Sequence, residues 1–249
     1  MFWNKIAPNE THTADQLRRS LGVVEMPDTA MLEASAAHIL NSALGFRKSS
    51  ERGACMLGDD QLIPMMSYGL IEYLMGIDLT QFDILELGGG YSTDFWSRRT
   101  KSVLTLEANT EWAQSLRGLK LPNVEVRLTA PAQIATDIAA LGRGFDAIII
   151  DADANRYSCA KAALKILNSD GFIVLDNADW YPNTTQLMRE ADLIQIDFHD
   201  FRPLRWYRCT TSLFLHRGFR PKPRQGRLPL TPIGGKDISQ ANDWDRVTD

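Results

Sequence analysis

At 249 residues, with 44% hydrophobic residues and a formal net charge of −4, the chain is long enough for one sizeable core with extensions and is ordinary in composition for a globular protein. The negative balance argues against a nucleic-acid binder governed by overall charge, and no apolar stretch reaches the length needed to span a bilayer, so neither nucleic acid nor membrane is the expected partner. Cys55, Cys159 and Cys209 are odd in number and lack paired spacing, which indicates neither a disulfide framework nor a zinc knuckle; with no leader pattern over Met1–Pro8, a reducing, cytoplasmic setting is expected.

In chain order, residues 14–23 and 28–46 read as helices, the second with Leu32, Ala36, Ile39, Leu40 and Ala43 at helical spacing behind Pro27-Asp28. Residues 45–58 read as an exposed connector and 61–75 as another helix, so 1–60 forms a helical N-terminal extension to a domain over 61–218. From Phe82 the pattern alternates: strand 82–87, helix 91–99, strand 102–107, helix 110–117, strand 123–128, helix 131–141, strand 145–151, helix 156–167, strand 171–176 and helix 182–191. Strand-like runs at 193–198 and 210–215 follow. Such alternation implies a doubly wound, mostly parallel sheet covered on both faces, and the apolar runs Ala147–Ile150 and Phe172–Leu175 suit strands buried on both sides. After Arg217 the composition turns to Pro, Gly, Arg and Lys, and residues 219–249 read as a basic, Pro-rich, mobile tail.

The most informative segment is Ile84-Leu85-Glu86-Leu87-Gly88-Gly89-Gly90-Tyr91-Ser92-Thr93, a strand that reaches an acid, turns through three glycines and opens a helix. Phosphate-cradling loops often add a cationic side chain to their backbone N–H groups; this loop has a carboxylate at its mouth and no Lys or Arg, which suits a cationic, phosphate-free ligand better. A second acid, Glu107, ends the next strand, the place where doubly wound folds bind ribose hydroxyls. A nicotinamide loop would carry a third glycine where Thr93 stands. A purely structural turn leaves Glu86 and Glu107 as coincidences.

Loop, helix and Glu107 together resemble the class I S-adenosylmethionine-dependent methyltransferases over roughly residues 60 to 218. The resemblance implies a Rossmann-like sheet with an antiparallel last strand and S-adenosylmethionine as cofactor. It places Glu86 against the methionine end, Gly88, Gly90, Tyr91 and Ser92 around the cofactor, and Glu107 on the ribose.

Ligands of such sheets sit beyond the carboxyl ends of the strands. There stand Asp151-Ala152-Asp153 with Tyr157 nearby, and Asp176-Asn177 with Trp180, a rim of hard oxygen donors of the kind Mg²⁺ accepts. These residues are similar to those of the metal-dependent catechol and caffeoyl-coenzyme A O-methyltransferases, and that partial likeness implies Asp151, Asp176 and Asn177 as ligands of a divalent ion. The chain departs from that pattern in its shorter glycine loop and in Ala154, where the family has a lysine. A looser set of bacterial class I enzymes, which implies no metal, matches Glu86 to Thr93, Trp112, Asp176-Asn177 and Thr211-Ser212 as well. As a capping turn, Asp176-Asn177 needs no ligand at all.

The expected activity is methyl transfer to a hydroxyl of a small molecule. An amine acceptor, a cofactor-binding regulator without turnover, and a nucleic-acid methyltransferase using the basic tail remain as alternatives. No general base is identifiable from order or spacing.

Overall fold

The computed structural model describes residues 28–237 and Ser239; the helix expected at 14–23 and the end of the tail lie outside them. Two compact units divide at His38/Ile39. The first contributes helix α1 (Thr29–His38) to the described residues, and everything that follows belongs to the second.

The second unit is built on a seven-stranded sheet: β1 (Asp83–Leu87), β2 (Ser102–Glu107), β3 (Val124–Leu128), β4 (Phe145–Ile150), β5 (Leu167–Leu175), β6 (Ile194–Asp200) and β7 (Cys209–Leu215), in the order β3-β2-β1-β4-β5-β7-β6. All pairings are parallel except those of β7, which runs antiparallel to both β5 and β6. Ile84 of β1 lies between Val103 of β2 and Ala147 of β4, so the chain leaves β1 toward one side of the sheet and returns on the other through β4. That reversal places a crevice at the carboxyl ends of β1 and β4.

Strand period sorts the core into two layers. Ile84, Ala147, Ile149, Phe172 and Val174 face one side, with α3 (Tyr68–Gly76) and α4 (Tyr91–Ser97); Leu85, Leu87, Ile148, Ile150 and Ile173 face the other, with α6 (Ile134–Ala140), α7 (Arg156–Ala163) and α8 (Pro182–Glu190). Phe95 and Trp96 of α4 are fully buried, with near-perpendicular rings whose centroids lie 4.8 Å apart. Truncating such an aromatic costs about 3–5 kcal/mol, so the helix that opens from the glycine loop is firmly seated.

Three local expectations change. The helix expected over 28–46 ends at His38, and a π-helical turn (Ile39–Ala43) leads to Gly45, whose left-handed φ of 74° starts α2 (Phe46–Arg52). A side chain at Gly45 would collide with the Met56 carbonyl and the Leu57 backbone, so close packing against 56–57 dictates the break. The connector expected as exposed therefore carries buried Cys55 and Leu57, held where the Ser49 hydroxyl exchanges hydrogen bonds with the Met56 backbone. The helix expected from 61 begins only at Tyr68. Pro64 cannot continue a helix, and Ser67 is drawn into the sheet, its N–H donating to Thr211 Oγ1 at 3.1 Å and its hydroxyl to the Phe198 carbonyl at 2.8 Å.

Residues 219–233, expected as part of a mobile tail, pack against the body. Phe219 meets Phe172 edge-on at 5.6 Å, the Asp78 N–H donates to the Lys222 carbonyl, the Arg224 N–H donates to the Gly76 carbonyl, and Leu228 and Leu230 lie over Gly76 of α3. The anchoring apolar residues are separated by Pro, Arg and Lys, so no periodicity announces them. None of the described helices is long and apolar enough to cross a membrane.

Candidate functional site

The glycine loop joins β1 to α4, and each of its glycines meets a different demand. Gly88 has φ +89°, and a side chain there would stand 2.6 Å from the Asp151 carbonyl at the end of β4. Gly89 is pressed against Leu116 and Thr105. A side chain on Gly90 would meet nothing within 4 Å, and Gly90 lines the open cavity. Packing against the protein therefore demands a glycine at 88 and 89 but not at 90.

Glu86 lies behind this loop, not at its mouth. Its carboxylate is fully buried and accepts hydrogen bonds from Ser92 Oγ and Thr93 Oγ1, both at 2.6 Å, and from Thr105 Oγ1 at 2.8 Å. Burial pushes its pKa up to about 7, against the pull of those three hydroxyls. Glu86 therefore ties the first turn of α4 to β2 and, expected against a methionine end, does not line the cavity. Ser92, expected at the cofactor, spends its hydroxyl on Glu86 while still lining the cavity.

Glu107 ends β2 at the mouth of the same cavity. Its Oε2 accepts the Gly89 N–H and its Oε1 the Asn109 N–H, each at 2.6 Å, so the carboxylate is pinned between the glycine loop and the start of α5 (Thr110–Gly118). The side-chain amide of Asn109 caps that helix by accepting the Trp112 N–H. Each carboxylate oxygen keeps a lone pair for a further donor. The cavity above has a volume of about 530 Å³. Its walls are Gly88–Ser92, Glu107–Asn109 with Trp112, Asp151–Asp153, and a fourth side formed by Gly53, Cys55, Met65, Leu204 and Arg205. Tyr91 packs edge-on against Trp112 at 6.0 Å and donates its hydroxyl hydrogen to the Gly53 carbonyl at 2.9 Å, which links two of these walls.

The acids of the rim are not arranged as a metal site. Asp176 Oδ2 accepts Arg202 Nη1 at 2.8 Å, with Asp176 1% and Arg202 3% exposed, and its Oδ1 accepts Thr211 Oγ1 at 2.7 Å. The Asn177 amide, oriented to satisfy both neighbours, donates to Asp176 Oδ2 at 2.8 Å and accepts Arg202 Nη1 at 3.0 Å. Asp151 Oδ1 accepts Arg156 Nη2 at 3.2 Å. A guanidinium thus supplies the positive charge that a divalent ion was expected to bring, and among the described residues no three His, Cys, Asp or Glu side chains converge as a cation site. Asp151, Asp176 and Asn177 do not fit a metal.

Asp151 nevertheless faces the cavity, and burial together with the nearby negative charge of Asp176 pushes its pKa up to about 7, opposed by Arg156. His199 and Asp200, at the end of β6, are occupied elsewhere: His199 Nδ1 shares a hydrogen bond with Thr210 Oγ1, and Asp200 Oδ2 accepts the Gly69 N–H. Arg202 bears no motif that announces its pairing with Asp176, and the segment 197–208, which could be read either as a pocket wall or as a hairpin connection packed on the core, brings Leu204 and Arg205 beside Cys55 and Met65 only when distant segments meet.

A seven-stranded sheet reversing at β1/β4, with an antiparallel β7, a glycine loop after β1 and an acid ending β2, is a Rossmann-like methyltransferase fold. No protein-family model matches the chain, and no curated protein is detectably similar to it in sequence. Among solved structures it is similar to a putative O-methyltransferase from Klebsiella pneumoniae, at 22% identity over 81% of this chain and 94% of that one, with a TM-score of 0.48. It is also similar to Aeropyrum pernix fibrillarin with natively bound S-adenosyl-L-methionine (13% identity, 59% and 74% covered, TM-score 0.49) and to a putative methyltransferase from Streptococcus mutans in complex with SAH (14%, 58% and 93%, TM-score 0.44). Likenesses this distant leave the chemistry to be argued from the site's own residues.

Proposed function

We propose that the chain is an S-adenosylmethionine-dependent methyltransferase that places the methyl group on a hydroxyl of a small molecule. The observation that carries this reading is the pinned carboxylate of Glu107, fixed by two backbone amides beside a loop whose Gly90 opens onto the cavity. Among the described residues the cavity walls carry Glu107, Asp151 and Asp153 against a single cationic side chain, Arg205, a balance that favours a positively charged ligand.

When bound, S-adenosylmethionine supplies a methyl group activated by its sulfonium. Glu107 would take the ribose hydroxyls with the lone pairs that its backbone bonds leave free, Gly90 would let the main chain approach closely, and Trp112 with Tyr91 would wall the cofactor in. Asp151, with a pKa raised to about 7, would accept the proton of the acceptor hydroxyl; positioned bases of this kind contribute about 10²–10⁴-fold. Alignment of donor and acceptor in one cavity supplies the rest. No metal takes part in this scheme.

The test is isothermal titration of the full chain with S-adenosylhomocysteine, followed by assays of its release from S-adenosylmethionine in the presence of hydroxylated small molecules. Binding that Glu107→Ala weakens at least tenfold, with turnover on a hydroxyl acceptor, is the expected result. Absence of binding would refute the reading, and tight binding with no turnover on any acceptor would favour a cofactor-binding regulator.

A further inference from the structure

We infer that the acceptor carries an anionic group, a carboxylate or a phosphate, and that Arg205 is the residue that reads it; the inference rests on the methyltransferase reading of the same cavity. Sheet order sets the geometry. Across the carboxyl rim Glu107 of β2, the glycine loop of β1, Asp151 of β4 and Asp176 of β5 follow one another, and the β6–β7 connection, residues 201–208, closes the far side. With strands about 4.8 Å apart, Glu107 and that connection flank the β1–β4 crevice from opposite sides. The cofactor reading uses the Glu107 side, which leaves the wall of Cys55, Met65, Leu204 and Arg205 to the acceptor.

That wall is apolar apart from its one guanidinium. Among the described residues Arg205 is the only basic side chain lining the cavity, and no carboxylate lies within ion-pair distance of it. Its main chain is held in place from behind. Arg202 anchors the connection through the buried pair with Asp176, and Leu204 then takes a left-handed φ of 61°, a conformation that costs a leucine energy and turns the chain sharply before Arg205. Arg205, Asp151 and the buried Cys55 thiol line the same cavity.

A planar guanidinium fork suits a carboxylate or phosphate, bound by two parallel hydrogen bonds. The other charges on the walls, Glu107, Asp151 and Asp153, repel an anion, so Arg205 decides whether an anionic acceptor enters. The acceptor so defined is small, with an apolar body between an anionic group at Arg205 and a hydroxyl within reach of Asp151. With S-adenosylmethionine bound, the methyl carbon would leave the sulfonium sulfur for the hydroxyl oxygen, the sulfur would keep the electron pair of the broken bond, and Asp151 would take the proton.

The experiment loads the full chain with S-adenosylhomocysteine and titrates it with three matched pairs: 4-hydroxybenzoate and 4-hydroxybenzamide, 3-hydroxybutyrate and 3-hydroxybutyramide, glycerol phosphate and glycerol. At least one charged member is expected to bind roughly 10- to 100-fold more tightly than its neutral twin, the range for a charge-assisted contact. Preference among the acids points to a carboxylate, and preference for glycerol phosphate points to a phosphate. Arg205→Met is expected to erase the preference and Arg205→Lys to keep part of it, with homocysteine-cofactor affinity unchanged in both. Equal binding of charged and neutral twins, no binding of any charged probe, or a preference that survives Arg205→Met overturns the inference. Failure of the wild-type chain to bind S-adenosylhomocysteine would instead overturn the methyltransferase reading beneath it.

Discussion

Glu86→Gln isolates the acid behind the glycine loop. The wild-type carboxyl is buried and its pKa is pushed from 4.5 to about 7, so the folded chain holds this proton to a higher pH than the unfolded chain does. The sign follows by linkage: the stability contributed by Glu86 is full below pH 4.5 and is lost as the pH rises through 7, because folding must then bury the charge. At about 1.4 kcal/mol per pH unit, roughly 2.5 kcal/mol disappears between pH 5 and pH 8. Glutamine has the same shape, and the hydroxyls of Ser92, Thr93 and Thr105 can rotate to suit an amide, so the variant should fold without this term. Urea unfolding followed by the fluorescence of the chain's six tryptophans measures both proteins at both pH values, and subtracting one from the other removes the contributions of Asp151 and other groups. The stability of wild type minus variant should fall by roughly 2.5 kcal/mol from pH 5 to pH 8. A flat difference, or one that rises with pH, would show that the three hydroxyls keep the carboxylate charged at no cost. S-adenosylhomocysteine affinity should change by less than about threefold, since Glu86 does not line the cavity.

Other perturbations separate the remaining roles. Gly90→Val should leave the thermal transition near that of wild type and abolish cofactor binding, whereas Gly88→Ala, facing a φ of +89° and the Asp151 carbonyl 2.6 Å away, should destabilise the fold by about 1–3 kcal/mol. If both variants lose stability alike, Gly90 serves packing rather than a ligand. Asp151→Asn should lower kcat about a hundredfold and leave S-adenosylhomocysteine affinity unchanged, with Asp151→Glu recovering part of the rate; unchanged turnover would remove Asp151 as the proton acceptor. Dialysis against a chelator should leave activity intact, and stimulation by Mg²⁺ would refute the ion-pair reading of the rim. Asp176→Ala should cost about 3–5 kcal/mol by leaving Arg202 buried and unpaired, and Arg202→Met in the same chain should restore part of that in a denaturant titration.

The fold was legible where signals are local. The β1 strand, its glycines and the opening of α4 lie within a dozen residues, and β2 spans Ser102–Glu107 as its apolar run ending on an acid suggests. Helix starts that depend on tertiary bonds were not legible: nothing local says that Ser67 hydrogen-bonds to Thr211, 144 positions away, instead of sitting inside a helix. The packing of 219–233 was hidden for a related reason, since an apolar side chain between prolines gains its value only from the surface it meets.

The same division runs through the site. Sequence by itself determined which residue types reach the rim, because parallel strands in alternation bring their carboxyl ends to one edge, where Glu107 and Gly90 line the cavity. Tertiary structure alone decided what the acids do. Whether a carboxylate meets a ligand, a metal or a neighbouring arginine depends on partners far away in the chain: Glu86 turned inward to three hydroxyls, Asp176 was claimed by Arg202 from the β6–β7 connection, and Asp151 kept its place at the cavity. Charge interactions act over a few ångströms of space and ignore sequence distance, so identical letters at identical spacing can bind a cation or replace one.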